Sequence, residues 1–406
     1  MIVISTDGLD IKCWCKDLEV AALEQAKNLA VHPVVRKWVA LMADSHSGYG
    51  MPIGGVVLCE DAVIPYGVGV DIHCGMMAIR TDVQETEMTK IVVRQILKLV
   101  IQRVPMGEGK CHKIEQEWNG FQDFEKRRNP KPGWFQERTW ILAKKNLGTL
   151  GGGNHFLEIL VSDDGVVWLM IHTGSRNLGY VICNYYHRKA IKLMEKQGIE
   201  LPDRNLSYLP VDSDSGANYI IDMDFAGRYA QESRKRIARR FCESFKEVFP
   251  NATFPNTIHI DHNFAAREAH FGKDYWVHRK GATFATKHNY GIIPGSMSTP
   301  SYIVRGKGNK ESFNTCSHGG GRAMSRADAI RLFNVEECDR ILREKGIVYP
   351  RWRKIRKKDR KSKKFIGRYD LSEFEHAYKD IETVMESQGD LVEVVTKLFP
   401  LGVEIG

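Results

Sequence analysis

Val167-Trp168-Leu169-Met170-Ile171-His172-Thr173-Gly174-Ser175-Arg176-Asn177-Leu178-Gly179 decides how this chain is read. Five apolar residues run without a break and end at a polar, Gly-containing turn, the pattern of a strand buried on both faces. His172 closes the run. Polar chemistry at a strand end, carried into a loop, is a usual place for a functional site; the plain alternative is an ordinary strand-to-loop transition. Val56-Val57-Leu58 reads as a second buried strand.

Helical stretches surround these runs. Residues 86–103 place Ile91, Val92, Ile96, Leu97 and Leu99 at roughly helical spacing. Residues 225–249 read as a long amphipathic helix rich in Arg and Glu, and 371–398 as one or two further helices. Strands and helices mix without a βαβ rhythm, which gives an α+β fold. No Pro/Ser-rich linker divides residues 1–406, so one large domain is expected. Two segments, 105–137 and 349–368, read as surface excursions.

With 406 residues, 43% of them hydrophobic, the chain can bury a sizeable core. No run approaches the roughly 20 apolar residues that span a bilayer. The N-terminal residues lack a basic and apolar leader, so a cytoplasmic location is expected. The nine cysteines (13, 15, 59, 74, 111, 183, 242, 316 and 338) form no CxxC pair and no regular framework. They read as reduced thiols. The net charge of +9 has one address: Arg351–Lys364 holds ten Lys or Arg against one Asp. Such a stretch, with Trp352 beside it, suits a polyanion such as nucleic acid, or else is a solvated loop.

Chemistry-bearing residues recur at the ends of apolar segments. In 68-GVGVDIHCGMM-78, Asp71, His73 and Cys74 supply a carboxylate, an imidazole and a thiol, all metal-ligand types. In 148-GTLGGGNHFLEI-159 the glycines offer free N–H groups to an anion, but no Lys-Ser/Thr follows to make a Walker loop. Asn154, His155 and Glu158 follow instead; on a strand His155 and Glu158 would face opposite sides, and a lone His there also suits a satisfied core position. In 258-IHIDHN-263, strand alternation would put Asp261 and Asn263 on one face and His262 on the other. Residues 291–309 carry Ser296, Ser301 and Arg305. In 315-TCSHGGGRAMSR-326, His318 precedes three glycines, and Arg322 and Arg326 at i and i+4 would share one helix face and cradle phosphates. Burying this many polar groups is costly unless they serve one composite site. From the residues alone, that site is metal- and phosphate-handling.

The strings 44-DSHSGYGMPIGG-55, 68-GVGVDIHCGMM-78, 148-GTLGGGNHFLEI-159, 171-IHTGSRNLG-179, 294-PGSMSTPSYIVRGKGN-309 and 317-SHGGGRAMSR-326 together resemble the RtcB family of RNA ligases, in the family's order and over nearly the whole chain. The resemblance implies two manganese ions and GTP as cofactors. Cys74 would be shared by both ions, with Asp71 and His155 on one and His172 and His262 on the other. His318 would attack the α-phosphorus of GTP and carry GMP. The substrate would be RNA with a 3′-phosphate or 2′,3′-cyclic phosphate end, joined to a 5′-hydroxyl end. A 3′-end guanylylating enzyme and a non-catalytic RNA-binding homologue are the alternatives, and an activator of the archease type is a possible partner.

By the same resemblance, Asn154, Glu158, Asn263, Ser296, Ser301 and Tyr378 would contact the nucleotide, Tyr378 by stacking on guanine. Arg176, Arg322, Arg326 and Asp44 would serve the phosphates and RNA end, with His46 in the same polar motif. Two positions depart from the family pattern. A terminal Lys-Gly is usual, its lysine on the guanine, and here Ile405 precedes Gly406. His73 stands where glycine is usual, and is expected to hydrogen-bond a metal ligand rather than act as one.

Overall fold

In the computed structural model, which describes residues 1–349, 352–355 and 368–406, the opening run lies in strand Val166–Thr173, buried at every position. It is third in a seven-stranded antiparallel sheet ordered Asn256–Asp261, Gly75–Gln84, Val166–Thr173, Phe156–Ser162, Val392–Ile405, Ser301–Gly306 and Tyr290–Ile293. Its unbroken apolar character follows from cover on both faces. Val167, Leu169 and Ile171 pack with Leu157 and Ile159 against Ile96, Leu97, Ile237 and Phe241. Trp168 and Met170 point the other way, onto Met76, Ile258, Ile292 and Ile303.

A six-stranded sheet is ordered Ile2–Ile4, Ile11–Cys13, Val35–His46, Ile53–Cys59, Lys273–Lys280 and Asn263–His270. Val56, Val57 and Leu58 lie in its fourth strand, all fully buried. Helices cover the sheets, and the fold is α+β. The chain crosses between the two sheets at one residue: Asn256–Asp261 edges the seven-stranded sheet, Asn263–His270 edges the six-stranded one, and His262 stands between them.

The long helix runs Asp214–Lys246, with Ser213 accepting a capping hydrogen bond from the Gly216 amide. Helix Lys90–Arg103 is capped in the same way by Thr89. The C-terminal expectation needs correction. Only Ile381–Ser387 is a regular helix, and Val392–Ile405 is a 14-residue strand between Ser301–Gly306 and Phe156–Ser162. Val392, Val394, Val395 and Thr396 are β-branched and fit a pleated surface, while Pro400 sits at a register shift, where a missing N–H is tolerated.

The segment 105–137 is more than a surface loop. It forms helix Asn119–Arg127 and buries Phe121, Phe124 and Trp134 against Trp140 and Phe225. These aromatics are spaced among Gly, Lys, Asn and Pro, which hides them from a periodicity reading. Of the basic run 351–364, Arg351 and Arg356–Lys364 lie outside the described residues. Among the described residues, no helix is long and apolar enough to cross a membrane.

Candidate functional site

The register of three strands brings the chemistry together. His172 pairs with both Met76 and Phe156, so Cys74, just before strand Gly75–Gln84, and His155, just before strand Phe156–Ser162, arrive at the same sheet end. His262 joins them from the seam between the sheets; its amide donates to the Cys74 carbonyl at 2.9 Å. Cys74 Sγ lies 3.4 Å from His155 Nε2 and 3.2 Å from His172 Nε2, and His172 Nε2 lies 3.3 Å from His262 Nε2. Asp71 Oδ2 is 3.1 Å from His155 Nε2. Cys74, His172 and His262 form one group able to hold a metal ion, and Asp71, Cys74 and His155 form another, with Cys74 common to both.

The donor chemistry fits a cation. His172 Nδ1 donates to the Asn154 carbonyl at 2.9 Å, which leaves the Nε2 lone pair aimed into the cluster. Burial, followed by the neighbouring histidines, holds His172 and His262 well below the ordinary imidazole range, so both are neutral. Among the described residues, His262 Nδ1 is buried without a partner. Burial raises the Cys74 thiol, and Asp71 adds to this; an ion would reverse both effects. His155 is held differently. Arg176 lies 3.0 Å from its Nδ1, and its Nε2 faces Asp71 Oδ2 at 3.1 Å and Cys74 Sγ at 3.4 Å. Gly174 faces the Asp71 carboxylate so closely that a Cβ there would collide with it.

His318 follows the short strand Thr315–Ser317 and its ring centroid lies 4.9 Å from that of His262. The fully buried Asp44 carboxylate accepts from His318 Nδ1 at 2.6 Å, from the His318 amide at 3.1 Å and from the Gly319 amide at 3.2 Å. Burial works to raise the Asp44 acid, but the His318 ring and its hydrogen bond outweigh it and hold the group below the usual range. His318 is thereby fixed with Nδ1–H toward Asp44 and Nε2 free.

A cavity of about 1090 Å³ joins these groups. His318 and the metal-type residues line it, as do Asn154, Glu158, Asn263, Ser296, Tyr378, Arg322, Arg326 and His46. His155 and Glu158 share the cavity because His155 precedes the strand and Glu158 lies within it. Glu158 is buried beside Phe156, Val403 and Ile405, and burial pushes its acid up to about 8. Ser301 does not line the cavity; its hydroxyl accepts from the Gly295 amide at 3.2 Å and shapes the turn that does. Arg176 likewise stands behind His155 rather than on the wall.

Three further expectations change. Arg322 precedes helix Arg326–Leu332 instead of sharing its face; the two arginines meet because both reach Glu373, at 3.4 and 3.0 Å, where Tyr378 Oη also donates. Asp261 and Asn263 do not share a side, since the break at His262 resets the alternation. Asn263 Nδ2 donates to the Asp71 carbonyl at 3.1 Å, while Asp261 faces away, toward Arg234 and Gln231. His73 also turns away from the cluster, with φ +52° and Nδ1 3.1 Å from Asp261. It neither ligates nor supports a ligand's ring.

Arg234, Lys280 and Glu373 are the site's unforeseen residues. Arg234 is fully buried and donates to the His73 and Thr173 carbonyls, both at 2.8 Å, tying the loops of Cys74 and His172 to the long helix. Its place on the buried stripe with Ala226, Ala230 and Ile237 was the available signal. Lys280 lines the cavity, donates to the Tyr49 and Met51 carbonyls at 2.6 and 2.9 Å, and is lowered by burial to about 7. Its charge inside a strand was the hint.

Residues 25–406 match the family model described as tRNA-splicing ligase RtcB. The chain is 34% identical to an RNA-splicing ligase RtcB of Escherichia coli strain K12, over 98% of this chain and 97% of that protein. It is 32% identical to a tRNA-splicing ligase RtcB of Methanococcus maripaludis, over 96% of this chain and 92% of that protein. A tRNA-splicing ligase RtcB of Thermococcus kodakarensis is 31% identical, with 95% and 91% covered. The chain belongs to the RtcB family.

Proposed function

We propose that this RtcB-family chain is a GTP- and manganese-dependent RNA ligase that joins 3′-phosphate or 2′,3′-cyclic phosphate ends to 5′-hydroxyl ends. The observation that carries the reading is the pairing of His318 with Asp44 beside a buried cluster of Cys, His and Asp. A neutral imidazole with Nδ1–H held by a carboxylate presents Nε2 as a nucleophile. Attack on the α-phosphorus of GTP forms the N–P bond and releases pyrophosphate. The imidazolium that results is stabilised by Asp44, as a buried carboxylate stabilises a charged histidine in other nucleophilic sites.

Asp71 with His155, and His172 with His262, both groups sharing Cys74, would hold the two ions. Bound there, manganese would neutralise developing charge on the phosphates. Thiolate and imidazole donors alone favour softer ions such as zinc; the preference for manganese rests on the family and on phosphate oxygens completing the shells. Asn154, Asn263 and Ser296 stand on the wall where the nucleotide would bind, and Arg326, half exposed, is the freer of the two arginines for an RNA phosphate. A 2′,3′-cyclic phosphate would first be opened by water, the 2′-oxygen leaving, to give the 3′-phosphate; GMP would then pass from His318 to that phosphate. The 5′-hydroxyl oxygen would then attack that phosphorus and expel GMP.

The test is a gel assay with two RNA strands, one ending in 3′-phosphate and one beginning with 5′-hydroxyl, plus GTP and Mn2+. A joined product is expected. Accumulation of a guanylylated 3′ end without joining would assign an end-modifying enzyme instead, and no change in either strand would refute the reading.

A further inference from the structure

The cavity has two walls of different character. The seven-stranded sheet supplies Phe156, Glu158, Val403 and Ile405. Toward the six-stranded sheet lie Tyr49, Ile53, Tyr66 and Lys280, and the reaction above gives these no role. Tyr49 is 71% exposed, at the tip of the loop that follows strand Val35–His46. An exposed aromatic is normally mobile, yet this loop is fastened. Lys280 Nζ donates to the Tyr49 carbonyl at 2.6 Å, and the Gly48 amide donates to Gln25 Oε1 at 3.0 Å. Tyr66 is held as firmly. Its ring stacks on buried His187 at 3.7 Å with 13° between planes, and its hydroxyl donates to Asn184 Oδ1 at 2.8 Å. The two tyrosine rings are 6.5 Å apart.

The track continues outside the cavity. Tyr180, Asn184 and Arg188 fall at i, i+4 and i+8 on helix Arg176–Gln197, one stripe of its surface. Tyr180 is 54% exposed and Arg188 is exposed. Preorganised aromatic rings followed by a surface guanidinium are what single-stranded nucleic acid uses: bases stack, and the backbone meets a cation.

We propose that Tyr49 and Tyr66 stack the first bases of the incoming 5′-hydroxyl RNA strand, and that Arg188 meets its backbone. The assignment to that strand rests on the ligase reading. An in-line displacement places the attacking 5′-oxygen opposite the leaving GMP, so the 5′ strand lies on the wall away from the Glu158 and Ile405 end.

The test uses the full chain with Mn2+ and a 5′-hydroxyl oligoribonucleotide carrying 2-aminopurine at its first position. The parent should quench the fluorophore. Tyr49→Ala, at an exposed position, should abolish most of the quench and raise KM for the 5′-hydroxyl strand about tenfold or more, as loss of one base–aromatic stack does. Tyr66→Phe, which keeps the ring, should retain the quench, whereas Tyr66→Leu should lose it; metal content and unfolding temperature check that each variant folds. Arg188→Ala should flatten the salt dependence of binding. A Tyr49→Ala variant with quench and KM within twofold of a parent that joins RNA overturns the track and leaves the ligase reading standing. Quenching of a label on the 3′-phosphate strand instead also overturns it. A parent that neither quenches nor joins overturns both.

Discussion

Replacing Ile405 with lysine should sharpen the choice of GTP over ATP. Glu158 lies in the cavity wall with Ile405, and burial raises its acid to about 8 with no compensating cation beside it among the described residues. A carboxylate accepts hydrogen bonds only, and so pairs with the N1–H and amino donors of guanine. A protonated acid also donates, and so can pair with adenine N1 while accepting from its amino group. With the acid near 8, the carboxylate is about one tenth of the population at pH 7, so GTP binding through it is weakened by roughly 1.4 kcal/mol, a factor of ten. The sign follows: the ratio of carboxylate to acid, and with it the GTP/ATP preference, should rise about a hundredfold as pH climbs from 7 to 9. Ile405→Lys adds an ammonium that favours the carboxylate and donates to the base. A hydrogen bond involving a charged group contributes about 1.5–3 kcal/mol. The variant should therefore gain at least about tenfold selectivity at pH 7 and lose most of the pH dependence. The assay is the initial rate of protein labelling with subsaturating GTP or ATP across pH 6.5–8.5. A flat ratio in the parent, unmoved by Ile405→Lys, would refute Glu158 as the base reader.

Asp44→Asn replaces the charged acceptor that fixes His318 by a neutral amide; losing the charge assistance should slow labelling by roughly ten- to a hundredfold, and labelling at the parental rate would show that the Asp44 charge does not serve the nucleophile. Cys74→Ala should deplete both metal positions while His262→Ala depletes mainly one, as read by elemental analysis; equal loss would count against a shared thiolate. Changing four basic residues of 351–364 to Ser should flatten the slope of log K against log salt by about 3, at roughly 0.7 per phosphate on single strands, and an unchanged slope would leave the run without an RNA role.

Much of the site was legible because its residues end apolar strands. Val167–Ile171 announces a buried strand, and His172 at its end marks the place where polar groups gather. What stayed hidden depends on pairing between distant segments. The cross-strand match of His172 with Met76 and Phe156 is set by a register that local spacing does not encode. The break at His262 defeats alternation, so Asp261 and Asn263 part company, and His73 turns with Asp261 to the far side. Val392–Ile405 shows the opposite failure. Its β-branched residues carried the strand signal, but reading them together with the helical 381–387 stretch blurred both. Arg234 and Glu373 act by holding other residues, and a sequence shows such a partner only once the fold supplies what it holds.

The central claim is that His318 becomes covalently guanylylated. Incubation of the parent with α-labelled GTP and Mn2+ should leave label on the protein that is lost in acid and kept in base, as a phosphoramidate requires, and His318→Ala should take up none. The same variant should still join an RNA whose 3′ end is already guanylylated, because the step that needs His318 is past. Label that persists in His318→Ala, or that resists acid, would contradict the account.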